Sequence, residues 1–265
     1  MRLSNMDTTL KPHGDPNFMM SLARGLDVIR GFSREKRYMS IAQLSYKTGI
    51  PRAAVRRCLY TLRELGYVEC ADGRNFSLRP KLLGLGHAYL SSTPLVVSAQ
   101  PFLDRVSEAA NESCSLATLD GEDILYVARS LTSRIISVTL NVGSRLPAYC
   151  TSIGHVLLAS LLPAELDGYL SKTSLRPYTE RTLTSASRLR ELLEQVRAQD
   201  YAIADQMMEI GVRSIAVPVR DAAGRVVAGI NVIVQAERVS LRDMKALFLP
   251  HLQIAARDLG AQLIP

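Results

Sequence analysis

Arginine side chains that could bind a polyanion are concentrated in one short segment, IPRAAVRRCLYTLRELGY (50–67). Pro51 and Gly66 suit the start and the end of a helix, because proline tolerates a first helical position and glycine a C-terminal stop. At about 100° per residue, one side of this helix collects Ala54, Val55, Cys58, Leu62 and Leu65, with Leu59 at the edge. The opposite side carries Arg52, Arg56, Tyr60 and Arg63, with Arg57 flanking them. One face therefore needs a core, and the other offers positive charge to a negatively charged partner.

The positive charge of the whole chain is confined to its first third. The 265 residues have a net charge of +7, yet residues 1–90 hold 15 Lys and Arg against 7 Asp and Glu. Residues 91–265 hold 17 against 18. A localised basic module favours a polyanionic partner, with nucleic acid ahead of a membrane because the basic helix backs onto a core. The alternative is that the arginines are only the solvated face of a core helix.

The helix before the basic segment carries its own boundary signals. It opens with Ser40 and Gln43, a pair in which each side chain can bond the other's backbone N–H. Gly49 ends it just before Pro51 begins the basic helix, and two helices joined by a short turn with glycine are typical of a helix-turn-helix. Apolar residues at helical spacing predict an earlier helix over 21–33.

A hairpin is predicted over 67–80, where Asp72 and Gly73 supply the turn. Three helices followed by a hairpin form a winged helix-turn-helix. The major groove of DNA admits one α-helix, and the N-terminal part of that helix usually contacts the base edges. Contacts to phosphates position the protein without reading the sequence. The predicted base-facing residues are Arg52, Ala53, Arg56 and Arg57, and the predicted phosphate-facing residues are Tyr60, Arg63 and Arg74 at the tip of the wing.

The pattern changes near 91–94, where the charge balance switches and Pro94 interrupts a connecting helix over 81–92. Beyond it the sequence predicts helices over 95–111, 152–161, 163–171, 186–199 and from Ser240, with a kink or restart at Pro250. It predicts strands within 114–130, 134–142, 213–221 and 225–235. The predicted fold class is α+β, with a disordered tail (1–17), a winged helix-turn-helix (18–80), a linker helix (81–93) and an α/β domain (94–265).

Composition excludes several classes of protein. No apolar run reaches the roughly 18 residues of a membrane span, and the first residues lack the apolar block of a secretion signal. Four scattered cysteines without C-x-x-C pairing predict a reduced, cytoplasmic chain with neither disulfides nor zinc. The histidines at 13, 87 and 251 show no metal-ligand spacing. We therefore expect no metal, no cofactor and no membrane partner.

Cys150 and His155, within AYCTSIGHVLLA (148–159), raise the possibility of a cysteine nucleophile. No acid lies near them in sequence, and five residues across a loop-to-helix junction do not obviously join their side chains. We predict instead a buried thiol and an ordinary surface histidine. If the two side chains did act together, the alternative function would be a small-molecule enzyme with a DNA-binding appendage.

Backbone and amide groups in the second half could bind a small anion. A helix starting near Ser152 would present the N–H groups of residues 152–154 at the positive end of its dipole. Asn231 is the strongly polar residue in the apolar run VVAGINVIV (226–234), and a buried amide needs a hydrogen-bond partner. Ser214 poses the same question on the neighbouring strand. Either the backbone or a ligand could satisfy these groups.

Three segments of the chain together resemble the IclR family of bacterial transcriptional regulators: IPRAAVRRCL (50–59), LPAYCTSIGHVLLA (146–159) and GVRSIAVPVRD (211–221). The likeness runs in unbroken order from about residue 15 to 263. Within SLARGLDVIRGF (21–32) and GHAYLSSTPL (86–95), the chain looks most like the subgroup that controls aromatic-acid catabolism through the β-ketoadipate pathway.

This resemblance implies a winged helix, a linker helix and a GAF-like C-terminal effector domain whose antiparallel sheet is flanked by helices. It implies binding to a double-stranded DNA operator as a homodimer, often a dimer of dimers. It also implies a small organic acid effector of the β-ketoadipate, protocatechuate or 4-hydroxybenzoate type. Where the family pattern has Lys or Arg after TSxG, this chain has His155.

The resemblance also implies which residues line the effector cavity. Matching positions around CTSIG, GVRSI and INV are Ser152, Ile153, Gly154, Val212, Ser214 and Asn231. Arg129 and Asp205 are weaker candidates, because each could equally form a structural ion pair.

Overall fold

The computed structural model describes residues 15–33, 35–132 and 140–263, which divide into two compact units between Tyr89 and Leu90. The predicted tail (1–17) and the predicted strand over 134–142 lie largely outside the described residues. The N-terminal unit contains α1 (Met20–Arg30), α2 (Ile41–Thr48) and α3 (Arg52–Glu64).

The capping box at the start of α2 is confirmed. The Ser40 N–H donates to Gln43 Oε1 at 2.8 Å, and the Gln43 N–H donates to Ser40 Oγ at 3.3 Å. Gly49 ends the helix at φ 70°, a left-handed conformation that favours glycine. A turn of three residues therefore separates α2 from α3, as the helix-turn-helix pattern predicts.

The predicted hairpin is also confirmed, as β2 (Val68–Glu69) paired antiparallel with β3 (Asn75–Leu78). Its turn is held by Asp72, whose carboxylate accepts the N–H groups of Arg74 and Asn75, and these bonds lower the pKa of Asp72 to about 2. A third short strand, β1 (Met39–Ser40), pairs with β3 and was not predicted, because two residues show no periodicity.

The core side of α3 differs slightly from the prediction. Val55 and Leu59 are fully buried and Leu62 nearly so, which places Leu59 at the centre of the apolar face. Leu65 is 52% exposed, because the helix ends at Glu64 and the chain turns away at Gly66 (φ 78°). Pro51 caps α3 from outside instead of occupying its first turn.

The chain continues through α4 (Leu83–Ser92) and α5 (Pro94–Ala110). The C-terminal unit adds the helices α6 (Ser152–Ala159), α7 (Pro163–Lys172), α8 (Ala186–Gln199) and α9 (Leu241–Gly260). Its strands are β4 (Ser113–Asp120), β5 (Asp123–Ser130), β6 (Arg145–Pro147), β7 (Ala202–Asp205), β8 (Val212–Arg220) and β9 (Val226–Gln235). The short strands β6 and β7 were not predicted, and α9 runs through Pro250 without the restart considered above.

These six strands form one antiparallel sheet in the order β6-β5-β4-β9-β8-β7. Side chains alternate across the sheet. Leu116, Ile230 and Val232 pack with α5 and α9 on one face. Ala117 packs with α6 and α8 on the other. The antiparallel sheet flanked by helices thus agrees with the fold class that the sequence predicts.

Gly154 makes the tightest backbone approach in α6. A Cβ atom there would lie 1.9 Å from the carbonyl oxygen of Ala148, whose 3₁₀ turn (Ala148–Cys150) leads into the helix. Only glycine lets α6 start this close to the turn. The position of the first turn of α6 therefore requires glycine at residue 154.

We predict that Gly154→Ala lowers the free energy of unfolding of the C-terminal unit by about 1–3 kcal/mol, the usual cost of overpacking. Gly168→Ala in α7 is the matched control, because a Cβ atom added there would meet nothing within 4 Å. That control should be neutral or stabilise by up to about 1 kcal/mol. Urea unfolding compares the two variants, and equal stabilities would contradict the close approach.

Candidate DNA-binding surface and effector site

The residues predicted to face DNA are all exposed in the N-terminal unit: Arg52, Ala53, Arg56, Arg57, Tyr60, Arg63 and Arg74. Arg63 lies 3.4 Å from the Glu64 carboxylate, and its guanidinium carbon is 5.6 Å from the centre of the Tyr60 ring. Among the described residues, Arg52, Arg56 and Arg57 form no ion pair. Their charge is available to an external anion.

Tyr46 was missed by the sequence reasoning. It lies in α2, the helix before the basic one, and is 93% exposed. The first helix of a helix-turn-helix crosses the DNA backbone, and tyrosine hydroxyls are common phosphate ligands. A tyrosine outside the apolar spacing of α2 was the available signal.

The prediction that His155 is a surface residue was wrong. His155 is fully buried, and its Nε2 lies 2.8 Å from the carbonyl oxygen of Tyr149. The reason is that every residue of α6 is buried, so the helix has no solvent face. Burial lowers the pKa of His155 to about 4, which keeps the ring neutral at pH 7. Since a carbonyl only accepts, Nε2 carries the proton.

The geometry gives no support to a cysteine nucleophile. Cys150 is buried, as predicted, and its Sγ contacts the Pro147 carbonyl at 3.5 Å and Met208 Sδ at 3.4 Å. Burial raises the pKa of this thiol to about 12, so the thiolate that nucleophilic catalysis needs is not formed near neutral pH. His155 bonds Tyr149 instead of Cys150.

Polar side chains gather on the α6 side of the central strands. Register pairs Ser115 of β4 with Arg129 of β5 and with Asn231 of β9. Ser113 of β4 and Ser214 of β8 both pair with Ile233, which follows Asn231 by two residues in β9. They therefore lie on the same side of the sheet as Asn231. We call this set the polar face: Ser113, Ser115, Arg129, Ser214 and Asn231. A Cβ on Gly229 would contact Ile153 and Val156, which shows that this side of β9 faces α6.

Three buried atoms of the polar face have no hydrogen-bond partner: Ser115 Oγ, Arg129 Nε and Asn231 Oδ1. Ser115 is fully buried and Asn231 is 2% exposed. A buried polar atom without a partner costs about 1–3 kcal/mol. Ser115 was missed by the sequence reasoning, although the same period-two alternation that singled out Asn231 applies to SCSLA (113–117).

The N-terminus of α6 meets the polar face at β8, where Ser152 Oγ donates to Ser214 Oγ at 2.8 Å. The Gly154 N–H is not free, contrary to expectation, because it donates to Thr151 Oγ1 at 3.1 Å. That leaves the Ser152 and Ile153 N–H groups as the candidate donors of this terminus. Val212, at the start of β8, alternates onto the same side as Ser214.

Asp205 does not join the polar face. It pairs in register with Arg213, one residue out of phase with Ser214, and its carboxylate binds both Arg213 and Arg181. These arginines lower the pKa of Asp205 even though burial opposes the shift. Asp205 therefore forms a structural ion pair with Arg213 and Arg181 and does not belong to the candidate effector site.

Other kinds of site are not indicated. Across 15–33, 35–132 and 140–263, no three His, Cys, Asp or Glu side chains are grouped as metal ligands would be. Nor does that part of the chain contain a helix with the length and apolar character needed to cross a bilayer.

A basic helix-turn-helix joined to a domain with a buried polar face defines a class, the ligand-responsive DNA-binding regulators. Comparison with known families agrees: residues 21–70 match the IclR helix-turn-helix domain, and residues 87–261 match the bacterial transcriptional regulator IclR C-terminal domain. The chain belongs to the IclR family. It is a helix-turn-helix transcriptional regulator and not an enzyme.

Individual relatives are similar over most of their length. The Pca regulon regulatory protein of Pseudomonas putida is 55% identical over 94% of this chain and 86% of its own. A transcriptional regulator from Rhodococcus sp. RHA1 is 44% identical, with a TM-score of 0.81 over 93% of this chain and 98% of its own. An IclR homologue from Microbacterium hydrocarbonoxydans, solved with 4-hydroxybenzoate, is 25% identical, with a TM-score of 0.78 over 92% and 98%.

We predict that Arg56→Ala weakens cognate operator binding by on the order of 1–3 kcal/mol and relaxes one base preference, because arginine pairs with guanine in a bidentate manner. Wild-type affinity should also fall steeply with salt, through counterion release. Arg190→Ala, an exposed arginine paired with Asp167 in the C-terminal unit, is the control. Unchanged operator affinity in a folded Arg52→Ala/Arg56→Ala double variant would exclude the assigned surface.

A pH dependence follows from the buried histidine. Below its ordinary pKa of about 6.5 an unfolded histidine takes a proton, whereas folded His155 takes one only near pH 4. Protons therefore favour unfolding in this window, and His155 should reduce stability there by up to about 1.4 kcal/mol per pH unit. In urea unfolding at pH 7.5 and 5.0, His155→Gln should lose less stability than wild type. Equal losses would show that His155 takes up its proton while folded.

Proposed function

We propose that this regulator controls genes for aromatic-acid breakdown and that a small organic acid, bound at the polar face, sets its affinity for the operator. The observation that carries the proposal is the pair of buried, unpartnered atoms Ser115 Oγ and Asn231 Oδ1. The names of the similar proteins support the pathway: one regulates a Pca regulon, and another is solved with 4-hydroxybenzoate.

The acid would lie with one carboxylate at the N-terminus of α6. The Ser152 and Ile153 N–H groups point out of the first turn, and charge-assisted bonds to such donors are stronger than neutral ones. Asn231 and Ser115 would bond the polar groups further along the ligand, while Ser214 holds Ser152 in place. Candidate effectors are β-ketoadipate, protocatechuate and 4-hydroxybenzoate.

Each of the three parts of the chain that the sequence predicts would have its own role. Residues 18–80 would bind double-stranded DNA, residues 81–93 would link, and residues 94–265 would sense the effector. Apolar side chains that remain exposed in the N-terminal unit, Leu22 and Leu26 of α1 and Leu83 and Leu85 of α4, support a homodimer, in which two recognition helices meet two half-sites. We further propose that two such dimers can pair into a tetramer and that the protein is cytoplasmic.

Ligand binding changes DNA affinity only to the extent that the acid prefers one conformation of the protein. A coupling of about 1–3 kcal/mol is typical. The chain passes from one unit to the other within α4, whose described residues include none that are fully buried. This helix is the covalent connection through which effector occupancy would reach the DNA-binding residues.

We expect Asn231→Ala and Ser115→Ala each to weaken acid binding by about tenfold or more, because each removes a buried group that the ligand satisfies. Operator binding without ligand should stay within twofold of wild type. Isothermal titration with each candidate acid, and with its amide, measures the first effect. Binding of the amide as tightly as the acid would contradict the carboxylate placement.

Ser107→Ala is the matched control. The Ser107 hydroxyl is buried in α5, on the other side of the sheet, and donates to the Glu112 carbonyl at 2.9 Å. Its removal should cost about 1 kcal/mol of stability and leave acid affinity unchanged. Ser115→Ala should instead weaken acid binding without this loss of stability, since its hydroxyl has no partner to lose. If the two variants behave alike, the polar face is a structural feature and not the effector site.

A further inference from the structure

The C-terminal end of the basic helix α3 has backbone carbonyl groups that need hydrogen-bond donors. The Tyr67 N–H donates to the Leu62 carbonyl at 2.8 Å. The Gly66 N–H donates to the Arg63 carbonyl at 2.9 Å. These two bonds are the usual way in which a helix ends at a left-handed glycine. The Leu65 carbonyl lies beyond them and takes its hydrogen bond from a more distant residue.

The donor is Lys81, sixteen residues further along the chain. Its Nζ donates to the Leu65 carbonyl oxygen at 2.8 Å and lies 5.2 Å from the centre of the Tyr67 ring. The lysine stem passes over the turn, since a Cβ atom on Gly66 would meet Lys81 Cδ at 3.7 Å. An ammonium group is favourable at this end of a helix, because the backbone dipoles leave partial negative charge there.

Lys81 lies in the element with which the linker begins. A 3₁₀ turn (Pro80–Leu82) contains it and continues at Leu83 directly into α4. Just before this turn, the Arg79 N–H donates to the Tyr67 carbonyl at 2.9 Å. The base of the wing hairpin is thereby closed. The end of α3 and the start of α4 are therefore joined by two hydrogen bonds and a cation–π contact.

The neighbouring cations bind in a different way. Arg63 lies 3.4 Å from the Glu64 carboxylate, and Arg79 lies 3.8 Å from that of Glu69. Exposed ion pairs of this kind join two flexible side chains and contribute little. In the described part of the chain Lys81 forms no ion pair, and its partner is the backbone of the turn that ends α3. Its bond therefore fixes the linker relative to the helix itself.

We propose that Lys81 is a positioning residue that sets the direction in which α4 leaves α3, and thereby the separation at which two copies of the protein present their recognition helices to DNA. This inference rests on the homodimer of the proposed function. Two of the exposed apolar residues assigned to that dimer, Leu83 and Leu85, follow Lys81 by two and four positions. Loss of the bond leaves the end of α3 intact, since its own turn still caps it, but frees its orientation toward the second copy.

DNA is sensitive to that orientation. One added base pair moves a half-site by about 3.4 Å along the axis and rotates it by about 35° around the axis. A dimer whose linkers leave α3 in a fixed direction must strain or lose contacts when the spacing changes. A dimer with a loose connection adapts to the new spacing. The dependence of affinity on half-site spacing therefore measures how firmly Lys81 holds the linker.

The test compares full-length wild type, Lys81→Met and Lys81→Arg, all of which should fold because Lys81 is exposed. The probe is a duplex with two half-sites, selected by the wild-type protein from a random library. It is used as selected, with one base pair added or removed between the half-sites, and as a single half-site. Binding is measured by fluorescence anisotropy.

A change of spacing should cost wild type on the order of tenfold in affinity, comparable to a mismatched base pair. The same change should cost Lys81→Met about threefold or less, because the linker can reorient. Lys81→Arg should keep most of the wild-type preference, since arginine also bonds carbonyl groups and stacks on aromatic rings. All three proteins should bind the single half-site with affinities within about twofold of one another, because α3 itself is unchanged.

Lys245→Met is the matched control, because Lys245 Nζ also lies 5.2 Å from a tyrosine ring, that of Tyr201, but in the C-terminal unit. This variant should keep the wild-type spacing preference. An equal preference in wild type and Lys81→Met overturns the inference and leaves the proposed function standing.

Two further outcomes would also count against the positioning role. If Lys81→Met weakens binding to every duplex equally, the single half-site included, and reduces the dependence on salt, Lys81 is a phosphate ligand and the inference is overturned. If wild type binds the single half-site as tightly as the paired one, the homodimer of the proposed function fails, and the inference fails with it.

Discussion

The antiparallel register of β4, β9 and β8 is the constraint on which the C-terminal unit depends. It places Ser115, Asn231 and Ala216 side by side, so that one side of the sheet is apolar under α5 and α9 and the other carries the polar face. A slip of one residue would exchange the two sides and bury Asn231 in the α5–α9 core. The length of β8 and β9, with nine and ten residues, makes such a slip costly.

The same arrangement places polar atoms without hydrogen-bond partners inside the C-terminal unit, at a cost in stability. A core made only of apolar residues on both sides of the sheet would be more stable, because each unpartnered buried polar atom costs free energy until something bonds it. The protein keeps Ser115 Oγ and Asn231 Oδ1 in that state. Under the proposed function, a ligand that bonds these two atoms would recover the free energy that folding gave up.

The DNA-binding unit follows a different principle. Its core is small, and the side chains predicted to contact DNA lie outside it. Arg52, Arg56 and Arg57 are exposed and have no carboxylate partners among the described residues. What needs precision is the placement of α3, and local devices provide it: the capping box of α2, the left-handed Gly49 and the β1–β3 pairing that closes the small sheet. All of these lie close to α3 in sequence.

The sequence by itself determined the local features, because caps, turns and helical periods depend on neighbouring residues. It identified the Ser40–Gln43 box, the exposed arginines of α3 and the family. It also marked Asn231, by alternation within a single strand. Only the tertiary structure decided which residues meet across strands. It paired Ser115 with Arg129 and Asn231, engaged Asp205 with Arg213, and enclosed His155 within a helix buried on every side. Burial and register depend on elements distant in sequence, and no local pattern encodes them.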